Sequence, residues 1–188
     1  PKRSGKTSLL RCLAALNTRP VDELRDDQLP LRLPEANRFQ WVHVDFQDSR
    51  VASPSGFGRY VLQSLGFPVP EPCNMDGFLT VMNASVIAPT VVAMDEVGVA
   101  LQRHKKLDID FWDGLRSLSS GVAGPNLSFL LALHEQPYTL AQHNASAGSP
   151  FFNLLGYTAE LGPLTEDEAR QLVNSSPVPV TDDELTWI

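Results

Sequence analysis

A run of apolar residues that ends in two carboxylates limits the fold of this chain more than any other feature. Residues 90–96 read Thr-Val-Val-Ala-Met-Asp-Glu, directly after Pro89. A short, continuous apolar run is typical of a strand that is buried on both faces, as in a parallel sheet between helices. In open α/β sheets, ligands bind at the carboxyl ends of the strands, which is where Asp95 would lie. We therefore predict a mostly parallel sheet with a polar site at the end of this strand.

A glycine, a lysine and a threonine stand near the start of the sequence, immediately before an apolar pattern of helical spacing. Residues 1–8 read Pro-Lys-Arg-Ser-Gly-Lys-Thr-Ser. The apolar positions that follow are Leu9, Leu10, Leu13, Ala14 and Leu16. The octet matches the later part of the phosphate-binding pattern G-x-x-x-x-G-K-[ST], in which backbone N–H groups and a helix N-terminus hold phosphates. The first glycine of the pattern would precede Pro1, so we expect that the loop and the strand before it begin outside the printed sequence.

Each residue type in this segment suits one part of a magnesium–nucleotide complex. Gly5 permits unusual backbone dihedrals and a close approach to a phosphate. Lys6 would reach the β and γ oxygens, and the Thr7 hydroxyl would ligate Mg²⁺. Ser4 and Ser8 flank these residues and are expected to contribute to phosphate binding. The alternative is a chance Gly-Lys-Thr tripeptide before an ordinary helix.

Asp95 and Glu96 provide the second half of the expected site. In enzymes with this loop, an aspartate after an apolar strand holds Mg²⁺, and a neighbouring glutamate can polarise the water that attacks the γ-phosphate. The alternative is a pair of acidic residues that favours the N-terminus of a helix. Because both motifs occur in one chain, we predict that Lys6, Thr7, Asp95 and Glu96 form a single site for ATP and Mg²⁺.

The remaining patterns alternate between strands and helices. Strands are predicted at 39–46, 90–95 and 127–133, with a short one ending at Ala159–Leu161. Helices are predicted after the loop and over 53–65, 75–87, 108–120 and 165–173. The last of these begins with the capping box Thr165-Glu166-Asp167-Glu168, and a similar box at Thr181 predicts one more helix. Strands that alternate with helices indicate a parallel sheet with crossover connections.

Composition narrows the classes of protein that fit. A length of 188 residues suits one α/β domain with a tail that enters another element, and 43% hydrophobic residues support a real core. The net charge of −7 argues against a chain dominated by a nucleic-acid-binding face. Two cysteines make neither a disulfide framework nor a metal site, and we predict that Cys12 is a small core residue. No apolar run reaches about 18 residues, so no membrane span is expected.

The order of these motifs resembles the division of P-loop ATPases that has an additional strand and a catalytic glutamate, which includes AAA+ and STAND proteins. A strand at 39–46 separates the loop from the carboxylate strand, and Glu96 follows Asp95 directly. The C-terminal third carries Leu127-Ser-Phe-Leu-Leu-Ala-Leu-His-Glu-Gln-Pro and Leu161-Gly-Pro-Leu-Thr. These segments look like the bacterial AAA-like branch related to origin-recognition-type ATPases. The resemblance implies a P-loop NTPase three-layer α/β/α sandwich over residues 1–163, followed by the start of a helical lid over 164–188.

The resemblance also implies roles for residues that the two main motifs do not include. His134, at the end of the 127–133 strand, would occupy a sensor position that hydrogen-bonds the γ-phosphate or its water. Pro163 would lie against the adenine, and Arg116 could act as an arginine finger for a neighbouring subunit. Each residue has a simpler alternative: His134 packing in a loop, Pro163 starting a turn, and Arg116 exposed on a helix.

The function implied by the resemblance is that of a domain that binds and hydrolyses Mg-ATP. It would act as a nucleotide-dependent switch in a larger STAND-type signalling protein of the bacterial cytoplasm. Two alternatives stay open: an AAA+ ATPase that acts on DNA in replication initiation or transposition, and a module that holds nucleotide structurally with little turnover. The expected cofactors are ATP and Mg²⁺. The expected partners are further domains of the same chain and a nucleotide-dependent homo-oligomer, and direct nucleic-acid binding by this segment is not expected.

Overall fold

The computed structural model describes residues 5–135, 139, 149–154 and 156–175. The predicted helix after Thr181, and Ser4 of the predicted phosphate loop, lie outside the described residues. The chain divides into two compact units, Pro1–Thr158 and Ala159–Ile188. The sheet and the residues expected to bind phosphate and Mg²⁺ belong to the first unit, and the predicted lid helix belongs to the second.

A three-stranded parallel sheet forms the centre of the first unit. Its strands are β1 (Gln40–Asp45), β2 (Thr90–Asp95) and β3 (Leu127–Leu131), in the order β1-β2-β3. All six residues of β2 are buried, as expected for a central parallel strand that is covered on both faces. The three strand predictions are confirmed, and β1 and β3 are slightly shorter than their sequence patterns.

Five α-helices accompany this sheet among the described residues of the first unit. They are α1 (Lys6–Thr18), α2 (Pro54–Leu65), α3 (Met75–Ser85), α4 (Val97–Arg103) and α5 (Ile109–Ser120). Ser53, Asn74 and Asp108 cap α2, α3 and α5, because each side chain accepts a backbone N–H group from the first turn of its helix. Helix α4 was not predicted.

None of the helices in the described ranges is both long and apolar enough to cross a membrane.

The larger hydrophobic core lies on the face of the sheet that carries Val44 and Met94. Helices α2, α3, α4 and α5 all contribute side chains to it, and aromatic rings contact one another through its centre. Trp112 is fully buried, and its indole N–H donates to the carbonyl oxygen of Leu107 at 3.1 Å. The buried stripe of α5 consists of Phe111, Trp112, Leu115 and Leu118.

Helix α1 covers the opposite face of the sheet. Leu10 packs with Ala93 of β2 and with Ala132, just after β3. Near the other end of the helix, the side-chain oxygen of Asn17 accepts the backbone N–H of Leu33, which precedes β1, at 2.9 Å. Helix α1 therefore runs antiparallel to the strands, and its N-terminus lies at the edge where the three strands end. The sheet consequently has helices on both faces, which agrees with the predicted α/β class.

Two expectations about packing are wrong. Residues Ala159–Leu161 form no strand, because no neighbouring strand pairs with them in the described part of the chain. Cys12 is exposed rather than buried in the core. It lies three residues after Leu9, which is 40% exposed, so both side chains occupy the outer face of α1 while Leu10 faces the sheet.

The second unit contains one described helix, α6 (Glu166–Asn174), and its capping box is confirmed. Glu168 accepts the backbone N–H of Thr165 at 2.8 Å, and the Thr165 hydroxyl accepts the backbone N–H of Glu168 at 3.3 Å. The bond from the Thr165 backbone is the main reason that the pKa of Glu168 is lowered. No residue of α6 is buried within the described chain.

Candidate functional site

The predicted site residues of the first unit gather at the edge of the sheet where the strands end. Lys6 and Thr7 form the first turn of α1, whose N-terminus lies at this edge. Asp95 ends β2, and Glu96 stands between β2 and α4. His134 follows β3 by three residues. Residues that are far apart in sequence therefore converge on one edge of a parallel sheet.

Helix α1 begins with a glycine in the left-handed region. Gly5 has φ 79° and ψ 7°, and a Cβ atom built on it would meet nothing within 4 Å among the described residues. The left-handed backbone of Gly5, rather than crowding by its neighbours, therefore explains why a glycine suits this position. Lys6 and Thr7 are half-buried and Ser8 is exposed. The first turn of a helix has backbone N–H groups without intrahelical acceptors and carries partial positive charge, which suits an anion.

Asp95 is a buried carboxylate at the end of the central strand. Its side chain is only 2% exposed. Its Oδ1 atom accepts the backbone N–H of Glu96 at 3.0 Å, and its Oδ2 atom lies 3.8 Å from Nε2 of His43. A buried carboxylate is costly unless hydrogen bonds or a cation compensate its charge. The buried negative charge of Asp95 therefore makes this position suitable for a cation.

The oxygen atoms available at this edge fit Mg²⁺ better than a softer metal. Carboxylate and hydroxyl oxygens are ligands that Mg²⁺ accepts, usually together with waters and phosphate oxygens. Asp95 and Thr7 supply these two types of oxygen. The described residues include no group of three or more His, Cys, Asp or Glu side chains that could hold a metal ion. A site that takes most of its ligands from water and phosphate does not require such a group.

Glu96 has a strained backbone. Its φ of 54° and ψ of 40° place it in the left-handed region, and it is the N-cap residue of α4. This conformation costs a residue with a side chain roughly 1–2 kcal/mol. Such strain is concentrated at functional sites, where the surrounding structure enforces it. The sharp turn places Glu96, which is half-buried, directly beside the end of β2.

His134 packs against the start of α4. A Cβ atom added to Gly98 would overlap the imidazole ring of His134, so the ring lies directly on this glycine. Its Nε2 atom is 3.9 Å from the Glu135 carboxylate, which is beyond hydrogen-bond distance. Because Gly98 is two residues after Glu96, the predicted sensor and the predicted general base belong to the same corner. Pro137, the packing partner in the simpler alternative, lies outside the described residues.

Two other predicted residues lie on different elements of the chain. Arg116 is exposed on α5. Pro163 is exposed and belongs to the second unit. Their roles as arginine finger and adenine contact remain predictions.

Three residues at the edge were not predicted as part of the site. Asp45 ends β1 in register with Asp95, and His43 precedes it on the same face of that strand. Gly98 provides the space for the ring of His134. The alternation of His43 and Asp45 in the 39–46 pattern puts both on one face, but only the pairing of β1 with β2 shows which residue they adjoin.

No protein-family model, curated protein or solved structure matches this chain. A functional assignment therefore depends on the chemistry of the residues at this edge.

The strained conformation of Glu96 predicts that glycine is preferred over alanine at this position. We expect Glu96→Gly to be more stable than Glu96→Ala by about 1 kcal/mol, because glycine adopts positive φ without steric cost. Denaturant unfolding of the two variants measures the difference. Arg116, exposed within the right-handed helix α5, gives the matched control, where the alanine variant should be the more stable one by about 1 kcal/mol. Equal stabilities at position 96 would contradict the strain.

The contact between Gly98 and His134 predicts that a side chain at position 98 will clash with the imidazole ring. We expect Gly98→Ala to destabilise the protein by about 1–3 kcal/mol, because the new methyl group must displace the imidazole ring. The double variant Gly98→Ala/His134→Ala should recover most of this loss, which a double-mutant cycle from denaturant unfolding measures. Gly156→Ala is the control, since a Cβ there meets nothing within 4 Å. Equal costs of Gly98→Ala in both backgrounds would contradict the contact.

Proposed function

We propose that this chain is an ATP-binding and ATP-hydrolysing domain that acts as a nucleotide-dependent switch, as in STAND-type signalling proteins. The observation that carries the proposal is the convergence of the Gly5-Lys6-Thr7 helix start with Asp95 and Glu96 at one edge of the sheet. A chance Gly-Lys-Thr tripeptide would have no reason to lie at the same edge of the sheet as a buried carboxylate. This convergence supports the P-loop NTPase interpretation of the fold.

The proposed roles follow from the charge and position of each side chain. The helix start and Lys6 would neutralise the phosphates of ATP. Thr7 and Asp95 would hold the Mg²⁺ ion, which when bound offsets the charge of the phosphate oxygens. Glu96 would accept a proton from the attacking water as the general base. Its half-buried position at the β2–α4 corner leaves it accessible to that water.

His134 is the residue that would make the domain respond to the presence of the γ-phosphate. Its ring lies on Gly98 within the first turn of α4, and Glu96 caps that same helix. A ring that contacts the γ-phosphate or its water would therefore register the presence of that group close to the general base. Loss of the γ-phosphate would remove this contact, as in other nucleotide-dependent switches.

Removal of the positively charged side chain of Lys6 tests nucleotide binding. We expect Lys6→Ala to weaken ATP binding by at least about 100-fold, because it removes charge-assisted hydrogen bonds to the phosphates. Titration with a fluorescent ATP analogue measures the affinity. The control is Lys105→Ala, which removes the same charge from an exposed residue after α4. Wild-type affinity in Lys6→Ala would refute the assignment of the site.

Replacing the proposed general base separates binding from hydrolysis. We expect Glu96→Gln to bind ATP within about three-fold of wild type but to hydrolyse it about 100- to 10,000-fold more slowly, because the amide cannot take the proton. Phosphate release and ATP binding are measured on the same preparations, with the exposed Glu71→Gln as control. Undiminished hydrolysis would remove Glu96 as the base. Tight binding without turnover in the wild-type protein would instead favour a structural nucleotide module.

A further inference from the structure

His43 occupies the middle of β1 on the face that α1 covers. It stands in register with Ala93, on which Leu10 of α1 packs. Its side chain is 28% exposed, yet its Nε2 atom is buried and has no hydrogen-bond partner among the described residues. A buried polar atom without a partner costs about 1–3 kcal/mol, so its presence requires an explanation.

A buried carboxylate lies near this unpartnered nitrogen. Nε2 of His43 faces Oδ2 of Asp95 at 3.8 Å, which is about 1 Å longer than a normal hydrogen bond. The other oxygen of that carboxylate already accepts the backbone N–H of Glu96. Two groups that each have hydrogen-bonding capacity left therefore face one another across the β1–β2 pair. Hydrogen bonds at catalytic sites are often long before the substrate binds and shorten in the complex.

We propose that His43 is a positioning residue for the magnesium site, whose Nε2–H donates to Oδ2 of Asp95 and fixes the orientation of that carboxylate. The inference rests on the proposed function, because it concerns the carboxylate that would hold Mg²⁺. With one oxygen fixed by the Glu96 backbone and the other by His43, the carboxylate cannot rotate away from the cation. Hydrogen bonds of this kind to a metal-binding carboxylate typically change metal affinity by about 10- to 100-fold.

Neighbouring polar residues do not take the same role. Asp45 is in register with Asp95, but its Oδ1 atom accepts the backbone N–H of Gln47 at 2.8 Å. A carboxylate is a hydrogen-bond acceptor, so it cannot donate to the carboxylate of Asp95. Trp41 has a buried indole nitrogen without a hydrogen-bond partner in the described residues, on the same face of β1. It is two residues nearer the start of the strand, about 6–7 Å farther from the edge, so it serves as a matched control.

The test compares two replacements of His43 that differ in hydrogen-bonding capacity. His43→Leu fills similar space without a donor, whereas His43→Gln places an amide N–H at similar reach. We expect the Mg²⁺ concentration for half-maximal ATP binding to rise about 10-fold or more in the leucine variant and to return to within about three-fold in the glutamine variant. ATP affinity without Mg²⁺ should stay constant in both, and Trp41→Phe should leave the Mg²⁺ dependence unchanged.

A second measurement needs neither nucleotide nor metal. The imidazole ¹⁵N signals of His43, recorded by NMR in the free protein, should shift in Asp95→Asn and stay in place in Asp45→Asn. These signals report directly on the contact between His43 and Asp95. If they shift in Asp95→Asn, the effect of His43→Leu on Mg²⁺ dependence can be attributed to a lost hydrogen bond rather than to lost packing.

The outcomes distinguish failure of the inference from failure of the proposed function. Mg²⁺ dependence in His43→Leu equal to wild type, equal losses in the leucine and glutamine variants, or unchanged His43 signals in Asp95→Asn would overturn the positioning role while the ATP site stands. A wild-type protein that shows no Mg²⁺-dependent ATP binding would overturn the proposed function, and the metal role of His43 with it.

Discussion

Burial of the central strand on both faces is the constraint on which the rest of this structure depends. Every residue of β2 is buried, between α1 on one face and the large core of α2, α3 and α5 on the other. A strand in this position must satisfy its backbone through parallel neighbours on both sides, which β1 and β3 provide. Asp95, the last residue of β2, is also buried, so its carboxylate is shielded from water at the end of the strand.

This arrangement determines which charged and polar groups lie at the edge where the strands end. Because α1 runs antiparallel to the strands, its positive N-terminus lies at the edge that holds Asp95, Asp45 and Glu96. The sharp left-handed turn at Glu96 then starts α4, and the ring of His134 lies on the glycine two residues later. The positive end of a helix and several acidic side chains thus lie at the same edge of the sheet, and the binding of a phosphate with a divalent cation requires groups of both signs. The proposed ATPase function rests on that complementarity.

Local sequence patterns predicted most of the elements. The apolar run of β2, the caps Ser53, Asn74 and Asp108, and the capping box of α6 act through neighbouring residues, so they can be read without knowing the fold. Two of the errors occurred where the outcome depends on distant partners. A short strand was predicted to end at residues 159–161, but no strand pairs with them in the described chain. Cys12 lies on the face of α1 that no described element covers. Helix α4 was missed because it has only seven residues.

The sequence by itself determined the two motifs on which the proposed function depends: Gly5, Lys6 and Thr7 before an amphipathic helix, and Asp95 with Glu96 after an apolar strand. Only the tertiary structure decided what these residues meet. The approach of His43 to Asp95 depends on the register between strands that are fifty residues apart, and the contact of His134 with Gly98 depends on how β3 passes α4. Periodicity assigns a side chain to a face, but register and helix packing set its neighbours, and these arise from the whole core rather than from any local pattern.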